Sequence, residues 1–274
     1  MADADRQIHA TNPEPLLRDA ELLRGTVREA GALALSLFRT ELKNWIKGQS
    51  SPVSEADIAV NDLLEARLRS ARPGYGWLSE ESADDPERLA RRLVWIVDPI
   101  DGTRGYLSGR EDWCISVALV EDSSPLLAAV FAPVSNELFF AVRGQGATCN
   151  ALKLQATAGT DVDFARVAGP RPLVERLRTQ VGEIRLHPRI ASLALRLCRV
   201  ADGQLDAAFA GGNSHDWDLA AAHLIVQEAN GRMTALSGEG ISYNRREVTH
   251  GVLVAAGRDR HASLVAHFGS RSPA

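Results

Sequence analysis

Four closely spaced apolar runs in the first half of the chain constrain its fold more than any other feature. They are LVWIV at 93–97, WCISVALV at 113–120, LLAAVFAPV at 126–134 and ELFFAV at 137–142. Their β-branched and aromatic residues favour strands. Because only short links join the last three runs, we expect these three to form an antiparallel meander.

Helical patterns surround these strands. Apolar residues recur at helical spacing from Leu16 to Phe38, which predicts a long amphipathic helix. Ser54 is a suitable cap for a second helix that ends before Pro73-Gly74. The second half predicts a helix over about Pro188 to Val200, a strand at Leu205 to Phe209, a helix from near Trp217 to Asn230-Gly231, and a buried strand at 251–257.

This alternation of helices and strands predicts an α/β fold with a layered αβαβα arrangement. With 274 residues, 45% of them hydrophobic, the chain can bury a sizeable core. We expect one domain over residues 1–274, with a first lobe of about 14–150 and a second of about 151–274.

Charge and composition exclude several classes of function. Acidic residues (35) exceed basic ones (31), so the net charge of −4 gives no broad positive field for a nucleic-acid polymer. The first residues lack a signal-peptide pattern, and no apolar run approaches the roughly 20 residues of a membrane span. Cys114, Cys149 and Cys198 lack the spacing of a zinc site or disulfide framework. We expect a cytoplasmic protein with reduced thiols and no membrane partner.

The end of the first apolar run carries the strongest chemical signal. Asp98 and Asp101 are separated by Pro99 and Ile100 and followed by Gly102. Proline interrupts strand pairing, so both carboxylates can converge on one hard cation with the Ile100 carbonyl as a further oxygen ligand. Backbone N–H groups after Gly102 can face a phosphate. The alternative is an acidic turn that only ends a strand.

Two further acidic segments favour a metal site. Glu80-Glu81 follows the strand-like residues 75–78, and Asp216-Trp217-Asp218 opens an apolar helix. Each has a plainer explanation, because adjacent glutamates often form a solvated face and a first-turn aspartate interacts with the helix dipole. One polynuclear metal site explains all three segments together.

These segments carry a resemblance to a known family. Ser54-Glu55-Ala56-Asp57, Ser79-Glu80-Glu81, DPIDGT at 98–103 and WDLAAA at 217–222 resemble, in order, the signature of the inositol monophosphatase superfamily. That superfamily includes fructose-1,6-bisphosphatases, bisphosphate nucleotidases and histidinol-phosphate phosphatases. The resemblance spans nearly the whole chain. It implies the αβαβα sandwich of the inositol monophosphatase and fructose-1,6-bisphosphatase type, a magnesium-dependent phosphatase, inhibition by lithium, and a homodimer as the usual state.

The resemblance also assigns roles to individual residues. Glu80, Asp98 and the Ile100 carbonyl resemble the ligands of one Mg²⁺, and Asp98, Asp101 and Asp218 resemble those of a second. Glu80 and Thr103 resemble the pair that activates water, with Asp57 supporting Thr103 or a third, weaker metal. The implied substrate-binding residues are Asp101, Gly102, Thr103, Arg189, Arg196 and Asp218. Lys47 lies near the family's basic position, His215 is interpreted as a rim residue, and Ser54 as a helix cap.

Substrate choice stays open between related phosphate esters. Inositol monophosphatases carry a glutamate near position 211, where this chain has Gly211. The SLALRLC segment resembles a helix of the bacterial 3'(2'),5'-bisphosphate nucleotidases, with Arg196 in place of lysine. Arg104, Arg110 and Arg189 can meet a second phosphate, although ordinary surface pairing explains them equally well.

The small phosphorylated metabolite favoured as substrate is 3'-phosphoadenosine 5'-phosphate, ahead of an inositol phosphate or histidinol phosphate. A non-catalytic metal- or phosphate-binding regulator is the alternative from another class. An accessory protein associated with RNA is disfavoured by the net negative charge.

Overall fold

The computed structural model describes residues 13–47 and 51–269. Its α-helices are α1 (Pro13–Leu37), α2 (Glu55–Ala71), α3 (Thr103–Leu107), α4 (Arg171–Val181), α5 (Leu193–Ala201), α6 (Asp216–Glu228) and α7 (Arg258–Gly269). A short 3-10 helix spans Pro86–Ala90.

The strands of the first half are β1 (Asn44–Lys47), β2 (Ser51–Ser54), β3 (Gly76–Ser79), β4 (Leu93–Asp101), β5 (Cys114–Glu121), β6 (Ser124–Ala132), β7 (Glu137–Val142), β8 (Gly146–Cys149) and β9 (Leu152–Lys153). Those of the second half are β10 (Arg166–Ala168), β11 (Arg185–Leu186), β12 (Ala207–Ala210), β13 (Ser214–His215), β14 (Gly231–Ala235), β15 (Thr249–His250) and β16 (Leu253–Gly257).

The large sheet has seven strands in the order β3-β4-β5-β6-β7-β8-β9. Its β5, β6 and β7 pair antiparallel, as the short links between the apolar runs predict. The side chains of successive residues in β4 point to opposite faces of the sheet. Trp95 and Val97 pack with α1 and α2, whereas Val94 and Ile96 join the core that contains α5 and α6.

A second sheet of five strands, ordered β11-β10-β12-β16-β14, completes the core. One face of this sheet, including Ala208 and Ala255, packs in the core formed with α5 and α6. Phe209 and Val254 belong to the opposite face, where they pack against Leu177 of α4 and Leu264 of α7. The layers are therefore α1/α2, large sheet, α5/α6, second sheet and α4/α7, which confirms the predicted αβαβα sandwich.

Some element boundaries differ from the sequence prediction. The helix expected from Pro188 begins only at Leu193, because Ser192 caps it by accepting a hydrogen bond from the Leu195 backbone at 2.9 Å. The strand expected at Leu205 starts at Ala207. Among the elements that the sequence patterns did not predict are β10, α4, β14 and α7, together with the short strands β1, β2, β8, β9, β11, β13 and β15.

The three cysteines carry free thiols. Cys114 and Cys198 are buried, Cys149 is partly exposed, and all are free. This agrees with the prediction of reduced, mostly packed thiols.

Across residues 13–47 and 51–269, no helix has the length and apolar character that a membrane crossing requires.

Candidate metal centre

Strand β4 delivers two carboxylates to one end of the large sheet. Asp98 pairs with Ser116 and Asp101 with Cys114 on β5, so the Pro99-Ile100 segment adds one residue to β4 between these positions. Such a bulge bends the strand and redirects its side chains. The predicted interruption by proline therefore lies at the point where Asp98 and Asp101 must converge.

A third carboxylate reaches the same point from α6. One oxygen each of Asp98, Asp101 and Asp218 lies within 4.8 Å of the others. Asp98 and Asp101 are buried, and the Asp218 side chain is 19% exposed. Asp218 is in the first turn of α6, where the His215 backbone N–H donates to its Oδ2 at 2.6 Å. The structure thus brings together three of the predicted metal ligands.

The donor set fits a hard divalent cation. Oδ1 of Asp98 is buried without a hydrogen-bond partner among the described residues. Asp101 Oδ2 accepts from Ser192 Oγ at 2.6 Å and from the Ala194 backbone at 2.5 Å. Partners on one oxygen fix the Asp101 carboxylate, and a buried carboxylate oxygen such as that of Asp98 requires a cation or a proton. Closely spaced carboxylates are the ligands that Mg²⁺ prefers.

Mutual repulsion and burial perturb these acids. Burial, followed by the negative charge of Asp218, raises the pKa of Asp101 to about 6. Burial and the charges of Glu80 and Asp101 raise the pKa of Asp98 well above its usual range. Such shifts mark a site where charge is concentrated without internal compensation. A bound cation removes this cost.

Glu80 comes from the end of β3, directly beside β4. Its backbone N–H donates to the Val97 carbonyl at 3.1 Å. Burial and the charges of Asp218 and Glu81 raise the pKa of Glu80 to about 8. The positive charge of Lys47 opposes this rise in the pKa of Glu80. Nζ of Lys47 lies 3.1 Å from Oε2 of Glu81. The predicted basic position before Ser-Pro-Val therefore lies against the acidic centre.

Thr103 and Asp57 form a second polar contact at the site. Thr103 Oγ1 lies 3.1 Å from Asp57 Oδ1 and 2.9 Å from the Ile100 carbonyl. Asp57 Oδ2 accepts from the Ser54 backbone at 2.8 Å and from its hydroxyl at 2.5 Å. Ser54 caps α2, and the contact of Asp57 with Thr103 agrees with the supporting position that the resemblance gives it.

Gly102 permits the turn from β4 into α3. Its φ of +97° lies in the left-handed region, and a Cβ there would meet the Ser192 backbone nitrogen at 3.1 Å. Glycine is therefore required for both conformation and close approach. This approach brings the β4 end against the residue that holds Asp101.

A cavity of about 520 Å³ opens above the carboxylates. Its lining includes Glu80, Asp98, Asp101, Asp218 and the backbone turn at Gly102 and Thr103, together with Arg104, Arg110 and Arg189. Arg110 pairs with Asp112 at 2.7 Å. Arg189 is exposed and has no side-chain hydrogen bond or ion pair to another described residue.

Arg196, in contrast, does not line this cavity in the described structure. Its guanidinium donates to the Phe209 carbonyl at 3.2 Å and to the Ile190 carbonyl at 3.1 Å. These bonds hold the segment that carries Arg189. The guanidinium is thus held by backbone carbonyls, near enough to Asp101 to interact with its charge, and the substrate contact of Arg196 stays a prediction.

His215 has the surroundings of a rim residue. Its ring stacks on Trp217 with centroids 4.7 Å apart, and its side chain is 38% exposed. Nδ1 of His215 lies 3.7 Å from Asp218 Oδ2, and this nearby carboxylate raises the pKa of the imidazole. The imidazole is thus beside the carboxylate cluster without being one of its clustered ligands.

The chain matches a known protein family over most of its length. The inositol monophosphatase family model matches residues 18–272. The chain belongs to the inositol monophosphatase family. The family consists of magnesium-dependent phosphatases, and the chain is an enzyme of this class.

Individual relatives agree with the family assignment. The chain is 31% identical over 254 residues to an inositol-1-monophosphatase from Caulobacter vibrioides, covering 88% of this chain and 94% of the relative. It is 30% identical to the 3'(2'),5'-bisphosphate nucleotidase CysQ from Aggregatibacter actinomycetemcomitans, covering 80% and 85%. The crystal structure of extragenic suppressor protein suhB from Bartonella henselae superposes with a TM-score of 0.80 at 26% identity, covering 92% and 98%.

Several supporting residues have no signature in the sequence. Ser192 and Ala194 hold Asp101 across 91 and 93 residues of chain. Asp216 contacts His250, which is 34 residues away. Only the folded arrangement of the second half brings these partners to the metal ligands. In the sequence, only the position of Asp216 two residues before Asp218 associates one of these supporting residues with a predicted metal ligand.

Proposed function

We propose that the protein hydrolyses 3'-phosphoadenosine 5'-phosphate to AMP and phosphate in a magnesium-dependent reaction. The observation that carries this proposal is the composition of the 520 Å³ cavity, which combines the carboxylate cluster with Arg104, Arg110 and Arg189. A substrate with a second phosphate needs positive charge away from the metals. These arginines supply it within the same cavity.

Arg189 is the strongest candidate for the second phosphate. Arg110 already donates to both oxygens of Asp112, at 2.9 Å and 2.7 Å, so much of its charge is offset. Arg189 has no such partner in the described structure. A guanidinium binds phosphate oxygens through paired, charge-assisted hydrogen bonds. Arg189 therefore gives a bisphosphate an interaction that a single phosphate ester lacks.

The metal ligands are assigned from the same residues. Glu80, Asp98 and the Ile100 carbonyl would hold one Mg²⁺, and Asp98, Asp101 and Asp218 would hold another. When bound, these ions lower the pKa of the attacking water and stabilise charge on the leaving oxygen. The protein residues fix the positions at which this chemistry occurs.

Glu80 and Thr103 position and deprotonate the attacking water. Glu80 is a suitable base because its carboxylate lines the cavity beside Asp98 and Asp218, where the attacking water would lie. Asp57, 3.1 Å from the Thr103 hydroxyl, accepts its hydrogen bond and leaves the hydroxyl oxygen able to accept one from water. The water oxygen bonds to phosphorus as the bond to the ribose 3' oxygen breaks, and that oxygen takes up a proton.

The similarity to a protein named CysQ bisphosphate nucleotidase supports this substrate. The similarity to an inositol-1-monophosphatase favours the alternative of an inositol phosphate. Gly211 opposes that alternative, because the resembling inositol phosphatases carry a glutamate near this position. The regulatory alternative is disfavoured because every predicted metal ligand and the Glu80–Thr103 pair is retained.

Phosphate release from a substrate panel tests the proposal. The panel contains 3'-phosphoadenosine 5'-phosphate, inositol 1-phosphate, fructose 1,6-bisphosphate, histidinol phosphate and NADP, each with Mg²⁺. We expect the highest kcat/KM for 3'-phosphoadenosine 5'-phosphate, with Asp98→Asn as the inactive control. A higher kcat/KM for inositol 1-phosphate overturns the substrate assignment, and no turnover of any ester favours the regulatory alternative.

A further inference from the structure

A second cavity, of about 500 Å³, lies at the opposite end of α6 from Asp218. His223 and Gln227 of α6 contribute to it, as do residues of β14 and the first residue of α7. It shares no lining residue with the cavity above the carboxylates. It is therefore separate from the metal centre, although one helix borders both.

The second cavity is positively charged. Arg143, Arg232 and Arg258 line it, and none of its lining residues is acidic. Arg143 donates to the Pro125 and Ser124 carbonyls and pairs with Glu121 at 3.3 Å. Arg232 and Arg258 have no side-chain hydrogen bond or ion pair to any described residue. In a chain of net charge −4, these two guanidinium groups leave a local excess of positive charge.

Other groups give this cavity the features of a binding site. Met233, 2% exposed, provides a buried apolar surface in its lining. Gln227 provides an amide without a hydrogen-bond partner in the described structure. Arg258 is also the first residue of α7, a helix of 12 residues whose N-terminus adds a favourable dipole for an anion. A volume of about 500 Å³ can hold a ligand of nucleotide size.

We propose that this second cavity binds a phosphate group, either as free phosphate or as part of a small phosphorylated metabolite. Arg232 and Arg258 are its main ligands, because guanidinium groups match phosphate oxygens in geometry and charge. Gln227 supplies a further donor. The bound anion contacts the half of α6 distal to Asp218, so it is neither the substrate nor a ligand of the metals.

Calorimetric titration of the metal-free protein tests this site. EDTA removes divalent cations from the carboxylate cluster, so phosphate is repelled from the metal centre and binding there is suppressed. Inorganic phosphate, pyrophosphate and AMP are titrated separately into wild-type protein, the double variant Arg232→Gln/Arg258→Gln and the control Arg171→Gln, which changes an exposed arginine outside both cavities. Thermal melting checks that each variant is folded, which we expect because all three arginines are exposed.

We expect wild-type protein to bind at least one of these probes at a single site. Loss of both guanidinium groups should weaken binding by at least about tenfold, because the charge-assisted hydrogen bonds to the phosphate oxygens are lost. Arg171→Gln should bind as wild type does. If inorganic phosphate binds, the ligand of the second cavity is a free anion. If AMP binds and phosphate does not, the ligand is a nucleotide. Equal affinity in the double variant, or no binding by wild type up to about 10 mM, overturns the proposal.

Discussion

His250 Nε2 lies 2.6 Å from Oδ1 of Asp216, and both side chains are buried. Asp216 Oδ2 also accepts a hydrogen bond from the Asn244 backbone at 2.7 Å. His250 belongs to β15, which pairs antiparallel with β13 just before α6. The Asp216–His250 contact therefore anchors the first turn of α6, which carries Asp218 two residues later. The contact therefore supports Asp218, a proposed metal ligand.

Loss of this anchor should weaken metal binding. Replacing His250→Gln removes the ring that fixes Asp216, so Asp218 should lose its fixed orientation. Changes to groups that orient metal ligands typically cost about 10- to 100-fold in metal affinity. We expect a corresponding increase in the Mg²⁺ concentration at which the melting temperature rises, measured by titration from an EDTA baseline.

His261→Gln provides the matched control for this experiment. His261 is 2% exposed, and its Nε2 lies 2.9 Å from Thr234 Oγ1, away from the metal ligands. Its replacement should lower the melting temperature without changing the Mg²⁺ concentration required for stabilisation. The anchoring role is refuted if the two variants need the same Mg²⁺ concentration.

Asp98→Asn should separate catalysis from folding. The substitution removes a buried negative charge with little change in volume, so the end of β4 should still pack. Activity should fall by at least about a thousandfold, because positioning and charge compensation supply most of the rate in phosphoryl transfer. Stability in EDTA should hold or increase, since repulsion with Glu80 and Asp101 is relieved. Turnover and melting are measured on the same preparation.

Ser54→Ala is the comparison for Asp98→Asn. The Ser54 hydroxyl bonds to Asp57 and caps α2, so its loss should cost about 1 kcal/mol of stability. Turnover should stay within a few-fold of wild type. If Ser54→Ala abolished turnover while Asp98→Asn retained it, the active centre would lie nearer α2 than the carboxylate cluster.

The sequence predicted the parts of the fold that depend on local patterns. The buried strands around Val97 and Val117 and the helix that begins beside Asp218 are strongly apolar over consecutive residues, so tertiary packing and local pattern agree. The helix α4 was missed because it is a surface helix, with only Val174 and Leu177 buried. Its apolar residues are spaced among mostly polar ones over 11 residues, so no long apolar run marks it in the sequence.

The candidate site was predictable where its residues form short motifs. Such motifs predict Asp98, Asp101 and Asp218 as metal ligands, and the structure brings their oxygens together. The partners that hold them were not predictable, because the contacts of Ser192 with Asp101 and of His250 with Asp216 depend on how the second sheet and α5 pack. Arg196 matched a position in a motif, yet its side chain turns to backbone carbonyls.

His223 should make the protein sensitive to acid. Burial, with a smaller contribution from His250, lowers the pKa of His223 from 6.5 to about 4. A depressed folded-state pKa means that the stabilising contribution is complete above about pH 6.5 and is lost progressively as the pH falls to about 4. The shift corresponds to about 3 kcal/mol.

The test compares the pH dependence of the unfolding free energy in wild type and His223→Gln. We expect a shallower slope between about pH 6.5 and 4 for the variant, because it has no imidazole to protonate on unfolding. An NMR titration of wild type should show the His223 ring neutral at about pH 5.5, where an ordinary histidine with a pKa of 6.5 is mostly protonated. A ring that titrates near 6.5 contradicts this prediction.

Lithium should inhibit phosphate release. In the resembling family, lithium occupies the metal position that we propose for Asp98, Asp101 and Asp218, whose oxygens lie within 4.8 Å of one another. We expect inhibition to be strongest at limiting Mg²⁺, measured as initial rates over a lithium series with sodium at equal ionic strength as the control. Full activity at high lithium would indicate a modified second metal position.

Arg189→Gln should discriminate between substrates with one and two phosphates. Arg189 lines the cavity of the carboxylate cluster, and its side chain has no hydrogen bond or ion pair to a described residue, so its charge is available to a second phosphate. A charge-assisted hydrogen bond contributes about 1.5–3 kcal/mol, so kcat/KM for 3'-phosphoadenosine 5'-phosphate should fall about 10- to 100-fold. Inositol 1-phosphate lacks the second phosphate, so its kcat/KM should change by less than about twofold.

Arg171→Gln is the control, because it changes an exposed arginine that pairs with Glu175 at 3.9 Å. It should leave kcat/KM for both substrates unaltered. An equal loss for both substrates would show that Arg189 serves the reacting phosphate or the fold, and no loss for either would remove it from the binding site.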